Sequence, residues 1–195
     1  MAGEEDSARL EPRESFDGAS TVVVPLGCAS MVTAPIRVLV TGGTFDKAYL
    51  ELEGRLHFRA THVPEMLELG RCRLPIEVET LMLVDSLDMQ DEHRARVLEA
   101  VLRAPEERIV VTHGTDTMEL TARTLGEANP GKTIVLTGAM VPYTFGSSDG
   151  LFNLGSALAF AQSLPHGVYV AMNGRCLPWK GVHKDKATGV FESRG

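Results

Sequence analysis

Cysteine is scarce in this 195-residue chain: Cys28, Cys72 and Cys176 stand far apart and are odd in number. That excludes a disulfide framework and the paired C-x-x-C spacing of zinc sites. Three isolated thiols fit a reducing cytoplasm. Positive charge is also short, with 19 Lys and Arg against 26 Asp and Glu and a formal net charge of −7. Nucleic acids and anionic membranes favour a basic face, so neither is an expected partner. No apolar stretch approaches the ~18–20 residues that a membrane span needs. His57 and His62 lack a third ligand type nearby, so no metal site is expected.

What is present suits an ordinary globular domain. Hydrophobic residues make up 44% and charged residues 23%, near the averages for such chains. The length accommodates one domain and leaves no room for two full catalytic domains.

Residues 1–35 differ from the rest. They hold six acidic residues and two basic ones, and so carry −4 of the net −7. The segment shows no periodicity before the short run Val22-Val23-Val24. With an acidic start and no long apolar stretch, no classical secretory signal is expected. The expectation is a disordered tail, with residues 22–26 adding an edge strand.

From residue 36 onwards, strand and helix patterns alternate. Strands are expected at 36–41, 78–84, 109–112, 133–137 and 167–172, where β-branched and apolar residues run together. Val97, Leu98, Val101 and Leu102 define one face of a helix at 91–104, with Asp91 and Glu92 at its start. Thr115 or Asp116 is placed to cap a helix carrying Met118, Ala122 and Leu125. A further helix spans 150–162. The alternation predicts an α/β fold, a mostly parallel sheet with helices on both faces. Residues 36–195 are expected to form one domain. The basic, polar stretch 179–195 reads by composition as a tail.

Three strands end alike: V-T-G-G at 40–43, V-T-H-G at 111–114 and L-T-G-A at 136–139. The carboxyl edge of an open α/β sheet is where ligands bind. Glycine lets a substrate approach the backbone, and threonine supplies hydroxyl chemistry. The three ends point to a composite site, with Gly43, Gly114 and Ala139 against the substrate.

Two motifs mislead. Gly42-Gly43-Thr44 matches neither nucleotide-binding glycine pattern, because Lys47 follows too closely for a phosphate loop. Gly146-Ser147-Ser148-Asp149-Gly150 fits G-x-S-x-G, but a nucleophile elbow needs a strand running straight into the turn, and Pro142 intervenes.

Five segments stand in order: T-G-G-T-F-D-K-A-Y (41–49), D-S-L-D-M (85–89), T-H-G-T-D-T-M (112–118), G-K-T-I-V-L-T-G-A-M (131–140) and S-S-D-G-x-x-N-L (147–154). Together they resemble the bacterial-type L-asparaginase family over roughly residues 36–175, most closely its short, single-domain members. The resemblance implies an amidohydrolase that converts L-asparagine to L-aspartate and ammonia without cofactor or metal. It implies that Thr44 is the nucleophile and Tyr49 the loop tyrosine that positions it. Thr115, Asp116 and Lys132 match the second cluster, in which the lysine poises Thr115 or an attacking water and Asp116 holds the substrate's α-ammonium. Ser86 matches the α-carboxylate ligand, and the neighbouring Asp85 and Asp88 tune the charge there.

The same residue types suit the chemistry on physical grounds. Amide hydrolysis needs an activated nucleophile, an anion-stabilising site and a charge clamp. Against full-length members, whose second, C-terminal domain supplies contacts to a neighbour's site in the tetramer, the expectation is a chain without that domain. By that resemblance a homo-oligomer is expected. Two other readings stay open. One is glutamine, or an amide on a larger molecule such as a misacylated tRNA. The other is an amino-acid sensor without turnover.

Overall fold

The computed structural model describes residues 34–194. The expected tail, the 22–26 run and Cys28 lie outside the described residues. In chain order come β1 (Ile36–Gly42), β2 (Lys47–Leu50), β3 (Arg55–Phe58), α1 (Val63–Leu69) and β4 (Ile76–Val84). Then follow α2 (Asp91–Arg103), β5 (Arg108–Thr112), α3 (Met118–Ala128), β6 (Thr133–Thr137) and α4 (Gly150–Ser163). β7 (Gly167–Met172), β8 (Arg175–Pro178), β9 (Val182–Lys184) and β10 (Phe191–Ser193) complete the described elements. Single 3-10 turns sit at Thr44–Asp46, Ser86–Asp88 and Tyr143–Phe145.

One six-stranded sheet has the order β4-β1-β5-β6-β7-β8. Its pairs are parallel except β7 with β8. Val38 sits opposite both Val78 and Val110, and Val110 opposite Val135, so the register aligns apolar rows across the sheet. Because side chains alternate along a strand, the sheet makes two cores. Val38, Val40, Val110 and Val135 pack with α1 and α4 through Met66, Leu154 and Ala157. Leu39, Val111, Ile134 and Leu136 pack with α2 and α3 through Val97, Val101, Ala122 and Leu125. Each fully buried aliphatic side chain of this kind contributes about 1.5–3 kcal/mol. The expected mostly parallel sheet covered on both faces is therefore the observed one.

The chain leaves β1 for β4 on one side, then crosses to β5 on the other. This reversal opens a crevice at the carboxyl ends of β4, β1 and β5, where doubly wound sheets take ligands. The fold thus selects three of the strand ends on which the candidate residues sit.

Two expectations need correction. The helix after β5 begins at Met118, not at Thr115 or Asp116, and Thr117 is its N-cap residue. Thr115 and Asp116 are engaged elsewhere, by a lysine described below. The 179–195 stretch is not a tail among its described residues. It holds the hairpin β9–β10, in which Val182 pairs with Ser193 and Lys184 with Phe191. Val182 and Phe191 are buried in the core on the α2–α3 side. Two apolar anchors outweigh the polar composition around them.

Candidate active site

Glycine packing brings three strand ends into contact. A Cβ at Gly43 would lie 2.4 Å from the Gly114 nitrogen, and one at Gly114 would lie 2.5 Å from Ser86 Oγ. Neither position has space for a side chain, and Gly43 also has φ of +88°. Thr44, Thr115 and Ser86 are therefore carried by three turns in direct contact. Thr41 Oγ1 donates to Thr112 O at 2.8 Å and ties β1 to β5 just below. Ser86 and Thr115 are buried, and Thr44 is half-buried.

Lys184 is the cation that joins this cluster. From β9 its Nζ donates to Thr115 Oγ1 at 2.8 Å and to Asp116 Oδ1 at 2.7 Å. Its own N–H donates to Glu119 Oε2 on α3 at 3.0 Å, which fixes the strand to that helix. Only a tenth of the Lys184 side chain is exposed, against 45% for Asp116. The result is a hydroxyl, an amine and a carboxylate in one hydrogen-bonded row. Met140 closes over it: its sulfur lies 3.6 Å from Thr115 Oγ1.

Lys132 is not part of this row. Its Nζ donates to the carbonyls of Ala104 and Glu106. Lys132 precedes the first residue of β6, so it emerges at the amino edge of a parallel sheet. Five residues of strand, about 16 Å at 3.3 Å per residue, separate that edge from the carboxyl edge. There Lys132 adjoins the Arg37–Glu106 pair, in which Arg37 holds the Glu106 carboxyl below its ordinary range. Lys184, and not Lys132, is the lysine that the structure places against Thr115 and Asp116.

Tyr49 lies on β2 and is 51% exposed. Its hydroxyl stands 3.9 Å from where a Gly54 Cβ would be, at the tip of the β2–β3 hairpin. The structure thus brings Tyr49 to the hairpin turn, not onto Thr44. Asp88 is exposed on the turn after Ser86. Ala139 is fully buried among the residues packed on the α1–α4 side, so it contributes backbone rather than side chain to the edge.

Several residues that look reactive are structural. His113 is fully buried, and its Nδ1 lies 2.7 Å from Gly114 O. A carbonyl only accepts, so Nδ1 carries the proton, and Nε2 accepts from Thr121 Oγ1 at 2.7 Å. Burial lowers its pKa to about 4, which keeps the ring neutral. Asp149 accepts the N–H groups of Met140 (3.0 Å) and Val141 (3.0 Å) and an Asn153 Nδ2 hydrogen (2.9 Å). Asn153 also donates to Gly138 O at 2.9 Å and accepts from Asn173 N at 2.9 Å. The S-S-D-G-x-x-N segment therefore buttresses the loop after β6. Ser148 Oγ donates to Val141 O at 2.6 Å and accepts Gly150 N–H at 3.0 Å, where α4 starts.

Asp46, in the same turn as Thr44, is buried. Its Oδ1 accepts His62 N–H at 2.9 Å, which fastens the turn to the start of α1. Burial raises its pKa, opposed by the hydrogen bonds from His62 and Thr61. Among the described residues no group of three or more His, Cys, Asp or Glu is arranged to hold a metal ion.

A parallel α/β sheet with threonine-bearing turns, a half-buried lysine and a carboxylate at its switch point has the architecture in which such folds place ligands. The family described as Asparaginase, N-terminal, matches residues 35–193, and the chain belongs to that family. It is 34% identical over 158 residues to the L-asparaginase of Thermococcus kodakarensis, covering 78% of this chain and 48% of that protein. The solved structure of the thermostable L-asparaginase from that organism superposes with a TM-score of 0.73 at 34% identity, covering 82% of this chain and 51% of its own. It is 35% identical over 170 residues to a probable periplasmic L-asparaginase of Haemophilus influenzae, 80% of this chain and 47% of the relative. A protein of Pseudomonas fluorescens biotype A named glutaminase-asparaginase is 32% identical over 168 residues, 77% of this chain and 45% of the relative. The chain spans about half the length of these relatives.

Proposed function

We propose that this chain hydrolyses the side-chain amide of L-asparagine to L-aspartate and ammonia, with Thr44 as nucleophile. The observation that carries this reading is the row Thr115–Lys184–Asp116, held beside the Thr44 turn by the Gly43–Gly114 contact. A binding protein has no use for a half-buried lysine bonded to a buried threonine. A hydrolase has one, because an amide nitrogen must be protonated before it leaves.

Thr44 Oγ1 bonds to the amide carbon, and the C–N bond breaks. The proton that Thr44 loses passes through the Thr115–Lys184 row to the departing nitrogen, so ammonia leaves. Water then attacks the threonine ester, the C–O bond breaks, and one water proton returns to Thr44. Aspartate is released and the side chains are restored. Asp116 takes the substrate's α-ammonium and Ser86 its α-carboxylate, so both charged ends are read. Gly43, Gly114 and the backbone at Ala139 shape the space between them.

The asparagine reading is supported by relatives named L-asparaginase. The relative named glutaminase-asparaginase supports a second, glutamine-directed reading of the same site. An apolar wall separates substrates that differ by one methylene by only ~1–3 kcal/mol. A coupled ammonia assay with asparagine, glutamine and buffer alone tests both. Release from asparagine above the buffer rate is expected. Release from neither amide contradicts a hydrolase.

A further inference from the structure

Ser86 stands directly after Asp85 and two residues before Asp88, in the turn assigned above to the substrate's carboxylate. An uncompensated carboxylate at Asp85 would repel that anion at close range. The structure holds a compensating cation. Lys47 Nζ is paired with Asp85 Oδ2, while Asp85 Oδ1 accepts Leu87 N–H at 3.0 Å and so caps the Ser86–Asp88 turn. Side-chain exposures of 21% and 27% leave the pair partly shielded from water. Burial alone would raise the Asp85 pKa, but the Lys47 ammonium and the Leu87 N–H hold it below the ordinary carboxylate range.

Lys47 also belongs to the nucleophile's own turn. Its N–H donates to Thr44 O, closing the 3-10 turn Thr44–Asp46. Its carbonyl accepts Thr144 Oγ1 at 3.3 Å, and its ammonium stands 5.8 Å from the Phe58 ring centre across the β2–β3 hairpin. One residue thus connects the turn that would attack the amide with the turn that would hold the carboxylate. The separation along the chain is 38 positions.

We propose that Lys47 is a specificity-determining residue: it neutralises Asp85 beside Ser86 and so admits ligands that carry an α-carboxylate. The inference rests on the reading of Ser86 as the carboxylate ligand. Lys47 need not touch the substrate. It acts by removing a negative charge at the place where another negative charge has to land.

The test compares the full chain with Lys47→Met, Lys47→Arg and the double variant Lys47→Met/Asp85→Asn. Asparagine kinetics are measured alongside calorimetric binding of L-aspartate and of 3-aminopropanamide, which is asparagine without its α-carboxylate. Lys47→Met is expected to raise KM for asparagine and Kd for aspartate about tenfold, with most of the loss on KM rather than kcat. Binding of 3-aminopropanamide is expected to change less than about twofold. Lys47→Arg and the double variant are expected to recover most of the loss, because each removes the uncompensated charge. Unchanged aspartate binding in Lys47→Met overturns the inference. So does equal weakening of aspartate and 3-aminopropanamide, which would mark a general distortion. If the wild-type chain binds aspartate but releases no ammonia, the hydrolase reading fails and the aspartate arm still decides the role of Lys47. If it binds no aspartate, the inference falls with it.

Discussion

Lys184 Nζ lies 2.7 Å from Asp116 Oδ1, a contact made across 68 positions of chain. The same ammonium bonds Thr115, so a short hairpin near the end of the described chain completes a cluster started by β5. Lys184→Met is expected to lower kcat at least ~10²-fold, the usual scale for losing a proton-transfer group. Its melting temperature should stay close to wild type, because β9 is also held by Val182 in the core and by the Lys184 N–H bond to Glu119. Lys132→Met provides the contrast and should leave kcat within about threefold. Steady-state ammonia release from both variants checks the pair, and the reverse ranking would return the role to Lys132.

His113 makes stability depend on pH. Its ring titrates near 6.5 when unfolded and at about 4 when buried. Between those values the unfolded chain binds more protons, so stability rises with pH through the window and is lost on acidification. From pH 7 to pH 5 the loss assigned to this residue is about 2 kcal/mol. Urea unfolding at the two pH values measures it. His113→Gln should flatten that slope, whatever its effect on absolute stability.

The glycines that bring the turns together should resist substitution. Gly114→Ala sets a methyl 2.5 Å from Ser86 Oγ, so Ser86 must move. Overpacking of this kind costs about 1–3 kcal/mol, and KM should rise as the carboxylate turn shifts. Gly126→Ala makes a useful control, because its methyl would meet the Trp179 ring at 2.2 Å and none of the three site turns. It should lower the melting temperature while the KM of the surviving folded enzyme stays near wild type. Thermal melts and kinetics on the two variants separate the effects.

Asp149 supports the loop after β6 through two backbone N–H groups and Asn153. Asp149→Ala leaves those donors without their partner, a cost of about 1–3 kcal/mol for each one that stays buried. Hydrogen exchange at Met140 and Val141 should accelerate, while the amides of β1 keep their protection. Uniform acceleration throughout the sheet would mean that the residue supports the whole fold and not this loop.

Much of this architecture was legible in the residues. β5, β6 and β7 are short apolar runs buried on both faces, and α2 has one apolar face with Asp91 and Glu92 in its first turn. The convergence at the carboxyl edge followed from the three endings that carry Thr and Gly, although Thr41 and Thr137 spend their hydroxyls on backbone carbonyls. The cluster lysine was misplaced because Lys132 sits inside a recognisable segment, whereas Lys184 sits in a polar stretch. Topology alone would have excluded Lys132, since a residue that precedes a parallel strand emerges at the edge opposite the site. The signal for Lys184 was weak: β9 and β10 have three residues each, and only Val182 and Phe191 mark their inner face. The start of α3 moved for a related reason. Thr117 Oγ1 donates to Ser86 O at 2.8 Å, a long-range partner that local capping rules do not foresee.

Attack of Thr44 on the amide is the step on which the proposed hydrolysis depends. The direct measurement is ammonia release from asparagine by the wild-type chain and by Thr44→Ala, with circular dichroism to establish that both are folded. Loss of at least about 10³-fold in kcat is predicted, the scale on which an enzyme falls when its nucleophile is removed. A folded Thr44→Ala variant that retains most of the wild-type rate would contradict it.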